Sequence, residues 1–343
     1  MMLRRLLAAS VLVCSPLVVS GAELARTAGC GLLTIAGKSE TSVLLEPNNS
    51  EAPRPVMWTL GSTLARSIHI NVPGTILGDL PGSTNGIWFA SQQSDGELHV
   101  YRLAAHNVLH AEGTLHPEGT ATTISWAEDG RGGAWLFLET LSGERHFIEA
   151  FCRERSRWRA KGVVAAGNLL TPRGIPGEHS VICGHWLFSA DRPPRRIPVE
   201  GQPDLAETYP GRDSHLTQLS LDDLSVRTSE DGGSHWVLAP APWPAGEHFA
   251  FPPEAIDRSG DAPTIRWVAG GRLAIARFSG GRWCKVLETS VENVHGLSGP
   301  AATIGNRLVL FADCYRTVPG EADSIRLGVV SNGSVRVITV KVR

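Results

Sequence analysis

The chain has 343 residues, enough for two ordinary domains or one large repetitive one. Its 32 basic and 34 acidic side chains leave a formal net charge of −2, which gives no footing for a nucleic-acid partner or a charged membrane surface. Gly (37) and Pro (22) are frequent, ten residues are Trp, and no long helical period with capping signals occurs, so an all-β chain of short strands is expected.

Met1 to Arg5 is basic, Leu6 to Val19 is apolar, and Ser20-Gly21-Ala22 offers small residues for cleavage. This is the layout of a signal peptide over 1–22, and it predicts a secreted or periplasmic protein with 23–343 as a single domain. The apolar run is short and interrupted by Pro16, which argues against a membrane anchor. Five cysteines follow it: Cys30, Cys152, Cys183, Cys284 and Cys314. In an oxidising compartment, Cys152–Cys183 and Cys284–Cys314 read as two bridges of similar span, with Cys30 left odd. The alternative is that they are buried free thiols behaving as small hydrophobes.

A phrase then recurs, a turn Gly or Asn followed by an apolar strand. It appears at Gly31–Ile35, Gly86–Ala90, Gly133–Phe137 and Gly184–Phe188, and more loosely at Asn306–Leu310. Such continuous apolar runs suit inner strands buried on both faces. Alternating strands follow at Leu98–Arg102, His146–Phe151 and Ile325–Val330, and the next strand often opens on Trp, as at Trp158 and Trp283. The spacing, roughly 45–55 residues, is that of four-stranded propeller blades. The expected fold is therefore an all-β propeller of four-stranded antiparallel blades. Counting strand pairs near Val43, Val100, Ile148, Val226, Ile275 and Gly328 favours six, with seven as the alternative. The interval that decides is 165–215, rich in Pro, Arg and Gly, which is either an irregular insertion or an eroded blade. The last strand, Val335 to Val342, is expected to pair with N-terminal strands and close the ring.

The stretch Ser229-Glu230-Asp231-Gly232-Gly233-Ser234-His235-Trp236 joins an alternating run to Val237-Leu238 and reads as a β-hairpin. Gly-Gly supplies positive φ angles, and the Asp231 carboxylate can accept N–H groups of its own turn. With Ser229, Asp231, Gly233 and Trp236 at the specified positions, the octapeptide resembles the Asp-box of sialidases and related β-propellers. Arg195-Arg196-Ile197-Pro198 resembles the Arg-Ile-Pro motif that opens a sialidase domain, and Gly211-Arg212 the Gly-Arg that follows it. The resemblance implies a carboxylate clamp from Arg196, Arg212 and Arg316, with Tyr315 as nucleophile. Thr217 stands where the family commonly keeps its acid/base Asp, and Asp213 is the nearest carboxylate. Arg-Ile-Pro also lies in mid-chain, not on the first blade.

His106, His110 and His116 lie close together, but their stretch reads as strand and turn, not as a metal-binding helix face. No metal or cofactor is expected. The expected role is recognition, by a monomer, of a glycan or of a cell-envelope or extracellular protein, without nucleic acid or stable membrane insertion. Two alternatives stand beside it: a divergent exo-sialidase or other glycoside hydrolase working at the axial mouth, and an assembly or stability factor docking through a propeller face.

Overall fold

The computed structural model describes residues 30–36, 41–47, 56–60, 65–69, 72–77, 82–83, 86–103, 108–165, 168–198, 205–256, 261–290, 301–304, 307–315, 324–331 and 333–341. Among these, the strands form seven antiparallel sheets. The first holds β1 (Cys30–Ala36), β2 (Thr41–Pro47), β3 (Val56–Leu60) and β4 (Ala65–His69). The second holds β5 (Thr75–Leu77), β7 (Gly86–Gln92), β8 (Leu98–Leu103) and β9 (Leu109–Leu115), with the short β6 (Gly82–Ser83) also on β7. The third is β10 (Thr120–Glu128), β11 (Ala134–Ser142), β12 (Arg145–Glu154) and β13 (Arg157–Ala165). The fourth is β14 (Arg173–Gly174), β15 (Ser180–Cys183), β16 (Trp186–Ser189) and β17 (Arg195–Arg196). The fifth is β18 (Ala206–Pro210), β19 (Leu216–Ser220), β20 (Val226–Ser229) and β21 (Val237–Leu238). The sixth is β22 (Phe249–Ile256), β23 (Thr264–Ala269), β24 (Arg272–Ser279) and β25 (Arg282–Ser290). The seventh is β26 (Ala301–Ile304), β27 (Arg307–Tyr315), β28 (Ser324–Ser331) and β29 (Ser334–Lys341).

Each sheet is an up-and-down meander in chain order, and first strands touch first strands: β10 meets β14, β14 meets β18, and β1 meets β26. This is a β-propeller, with the first strand of each blade innermost. The fold class stands as expected, and the sheet count is the seven-bladed alternative, not the favoured six. The interval 165–215 holds a complete blade. Its strands are only two to four residues long, too short to display a period. Ring closure is a correction. β29 pairs with β28 as the outermost strand of the last sheet, and the chain ends meet through β1 against β26 instead of sharing a sheet.

The apolar phrases make physical sense in this arrangement. Along β11, Trp135 and Phe137 enter the core shared with later blades, while Leu136 and Leu138 enter the core shared with the second sheet. Side chains alternate across a strand, so a strand with a blade on both sides must be apolar at every position. The same split appears on β24, where Leu273 and Ile275 face one cluster and Ala274, Ala276 and Phe278 the other. The phrases fall on first, second and third strands, so they mark blades without marking a fixed place within them.

The innermost turns approach closely. Gly130 and Pro176 form a parallel bridge between the third and fourth sheets, and a Cβ at Gly130 would lie 1.9 Å from the Ile175 carbonyl oxygen. Only glycine permits that contact.

The proposed disulfides are corrected. Cys152, Cys183 and Cys284 are free thiols. Cys152 and Cys183 are buried in one apolar cluster, and the Cys183 thiol hydrogen-bonds the Leu170 carbonyl at 3.2 Å. Burial, with the Asp129 charge second, pushes the Cys152 thiol up to about 12. The signal-peptide segment 1–22 lies outside the described residues.

Candidate functional site

The residues singled out for a sialidase-like site occupy different parts of the ring. Arg195 and Arg196 form β17, the outermost strand of the fourth sheet, and both are exposed. Three strand spacings separate β17 from the innermost β14, roughly 14 Å. Arg212 and Asp213 sit in the exposed turn between β18 and β19 of the next sheet. Asp213 (φ 54°) and Ser214 (φ 63°) are consecutive left-handed residues, and the His215 N–H donates to the Arg212 carbonyl at 3.0 Å. That is a type I′ hairpin turn, in which Asp is a favoured residue. Thr217 is buried on β19. Tyr315 is the last residue of β27, and Arg316 lies outside the described residues.

Ser229–Trp236 forms the expected turn between β20 and β21. The Ser229 hydroxyl donates to Asp231 Oδ1 at 2.8 Å and accepts the Gly233 N–H at 2.9 Å. Asp231 Oδ1 also accepts the His235 N–H at 2.9 Å, and the Trp236 indole donates to the Gly233 carbonyl at 2.8 Å. Gly233 has φ 97°, and a Cβ there would stand 2.7 Å from Ile197 Cγ2. The Ile-Pro of the Arg-Ile-Pro phrase is thus a packing surface under this hairpin, and Ile197 and Trp236 share one apolar cluster.

A cluster that the motifs did not indicate lies at the seam between the second and third sheets. Trp88 on β7, Trp126 on β10 and Trp158 on β13 form a near-regular triangle, with ring centroids 5.9, 5.7 and 5.8 Å apart. Arg102 on β8 and Arg153 on β12 place their guanidinium carbons 5.6 and 5.4 Å from the Trp88 ring. Glu112 on β9 ties the two arginines together. Its Oε1 accepts Arg102 Nε at 2.6 Å, and its Oε2 accepts Arg153 from the facing sheet.

Backbone geometry delivers Glu112 there. Val100 pairs with Gly113 and Tyr101 with Ala111, so Glu112 is the extra residue of a β-bulge that re-aims its side chain. The third sheet repeats the device. Lys161 is the bulged residue of β13, and its ammonium reaches the Ala190 carbonyl in the fourth sheet.

Three donors in the tryptophan cluster have no hydrogen-bond partner although their atoms are buried: Trp126 Nε1, Trp158 Nε1 and Arg153 Nε. Buried donors are nearly always matched, so three in one cluster are a marked departure. Access is through the arginines, whose side chains are 24% and 26% exposed against 7% for Glu112, and through the half-buried Trp158.

Neighbouring seams show the contrast. Fully buried Glu207 accepts from the Thr171 N–H and hydroxyl and from Arg173 at 2.7 Å, while Arg173 stacks 3.7 Å from the Tyr209 ring. Buried Asp129 accepts the N–H groups of Arg131 and Gly133 and the Trp135 indole, and faces His179 of the next sheet at 3.1 Å. These carboxylates lock blades together with their bonds filled.

Among the described residues no group of three or more His, Cys, Asp or Glu is placed to hold a metal. His110 is exposed on β9, His116 lies 3.4 Å from Glu97, and His106 falls outside the described residues.

Compared with known proteins, the chain matches no protein-family model and no curated protein. Solved structures do match it. A prolyl endopeptidase is 12% identical, covering 99% of this chain and 54% of its own, with a TM-score of 0.55. This chain thus spans about half the length of that enzyme. A functionally unknown protein from Desulfotomaculum acetoxidans is 10% identical over 84% of this chain and 96% of its own, TM-score 0.51. The six-bladed β-propeller lectin of Aleuria aurantia, described with a novel mode of fucose recognition, is 15% identical over 90% and 94%, TM-score 0.43. At these identities the likeness concerns the fold alone.

Proposed function

We propose that this propeller is a recognition module that binds a glycan at the tryptophan–arginine seam between the second and third sheets. One observation carries the reading: three unmatched donors buried among three indole rings, opened to solvent by two arginines. A sugar offers the complement. Its C–H face suits an indole wall, and its oxygens accept from indole and guanidinium N–H groups. Filling those donors removes a desolvation cost of about 1–3 kcal/mol for each group.

The test is a glycan array on the purified protein, followed by tryptophan-fluorescence titration of any glycan bound. W158F keeps a ring and removes one unmatched donor, and it should weaken binding about tenfold. W283F is the control. Trp283 sits on the corresponding outermost strand of the sixth sheet, and its indole already donates to the Pro240 carbonyl at 2.9 Å. W283F should bind like the parent. A protein that binds no glycan, or a W158F variant that binds as well as the parent, overturns the reading.

A further inference from the structure

The strap that joins β21 to β22, from Pro240 to Glu247, encloses a groove of about 350 Å3 on the path from the fifth sheet to the sixth. Pro240, Trp243, Pro244, Ala245 and Glu247 are among the residues that line it. Its walls are held from behind. Trp243 packs edge-to-face against Phe249 of β22 and Trp267 of β23, with ring centroids 5.2 and 5.7 Å apart. The Pro240 carbonyl accepts the Trp283 indole N–H at 2.9 Å. The Glu247 N–H donates to the Pro244 carbonyl at 3.3 Å, and Gly246 has φ 79°, as the third residue of a type II turn requires. That turn returns Glu247 to the groove that Trp243 lines. A groove with set walls loses little freedom when it is filled.

We propose that this groove takes a lysine side chain presented by a partner protein. The Glu247 carboxylate is half-buried, and no hydrogen bond or ion pair engages it among the described residues. Glu288, on β25 of the same sheet as β22, is by contrast engaged by both Lys285 and Arg272. The lining is also poor in donors. Three of the eight residues from Pro240 to Glu247 are proline and carry no N–H, and the Glu247 N–H is already given to Pro244. What remains is an open carboxylate, an indole and apolar walls. An alkylammonium is the complement. It brings N–H donors and no acceptor, its charge meets the carboxylate, an indole attracts a cation, and its stem lies on proline and alanine. One indole lines the groove, not a cage of several rings, so an ammonium that can donate hydrogen bonds fits better than a quaternary one. The chain flanking the strap exposes Val237, Leu238 and Phe251, apolar surface for the residues beside that lysine to cover.

The test is a titration of the full chain followed through the Trp243 indole N–H signal in nitrogen-15 NMR, with W243F assigning that signal. The probes are the capped peptide acetyl-Leu-Lys-Leu-amide, the same peptide with its lysine Nε-acetylated, and choline. The lysine peptide should shift the Trp243 signal and bind about tenfold more tightly than its acetylated form, which keeps the stem and loses the charge. It should also bind more tightly than choline. E247Q should abolish the difference between the two peptides. The same variant should melt at the parent's temperature, because the carboxylate it replaces has no bond to lose.

A lysine peptide that does not bind, or that binds no better than its acetylated form, overturns the proposal. A preference that survives in E247Q places the ammonium elsewhere and overturns the assignment to this groove. Choline bound as tightly as the lysine peptide overturns the choice of a lysine side chain. None of these outcomes bears on the tryptophan–arginine seam, which belongs to other sheets.

Discussion

Asp231 shows how a single exposed side chain can be committed to structure. Its carboxyl is held well below the usual carboxylate range, first by the His235 backbone N–H, then by the His235 ring and the Ser229 hydroxyl. A depressed folded-state pKa means that the ionised form supports the fold. That support is complete above the ordinary carboxylate value, near pH 4, and is lost as pH falls towards the depressed value. The thermal unfolding midpoint should therefore drop more steeply between pH 4 and pH 2 in the parent than in D231N. At pH 7 the variant should unfold at the lower temperature, and the gap should narrow with acid. Parallel pH curves for the two proteins would contradict this role. The device was legible in the sequence because its partners, from Ser229 to Trp236, lie within eight residues. Glu112 is the opposite case. Nothing in its immediate context marks it, since the bulge that turns it inward exists only once β8 and β9 are paired.

At the scale of strands, the seams decide which charges are tolerated inside. Arg173 comes from β14 and Glu207 from β18, 34 residues apart in the chain, and both are buried. Removing one member leaves a buried charge without its counter-charge, at about 3–5 kcal/mol. R173M should lose stability on that scale in denaturant melts, and R173M/E207L should recover much of the loss because the second change removes the stranded carboxylate. A double variant as unstable as R173M would show that the Thr171 contacts, not the ion pair, set the cost. This pair was not readable in advance. Its arginine sits on a blade with strands of two to four residues, its glutamate on the next blade, and the feature that reveals it is the contact between two innermost strands.

Over the whole molecule, the ring is held by apolar seams and not by covalent staples among the described cysteines. Cys152 and Cys183 stay free inside the same core, where burial keeps the thiolate form of Cys152 scarce, whereas Cys284 is exposed on the outermost strand β25. Brief alkylation of the native protein, mapped by peptide mass spectrometry, should label Cys284 and spare Cys152 and Cys183. All three should react after denaturation, without prior reduction. Protection of Cys284 that is relieved only by reductant would mean that it is bridged. The closure is of the same kind. β1 and β26 meet as neighbouring blades, so both chain ends contribute complete sheets and neither donates a strand to the other.

The sequence by itself determined the class of fold, the rhythm of the blades and the Ser229–Trp236 hairpin. Each of these rests on local physics: alternation along a strand, positive φ at glycine, and hydrogen bonds between near neighbours. Only the tertiary structure decided that the described strands form seven sheets, that Cys152, Cys183 and Cys284 are free thiols, and that Arg196 stands on an outer strand. It alone brought Trp88, Arg102, Glu112, Trp126, Arg153 and Trp158 to one seam. Those six residues span two sheets, and no local pattern records which faces of two blades will meet. That choice is made by burial when the blades pack, after each strand has formed.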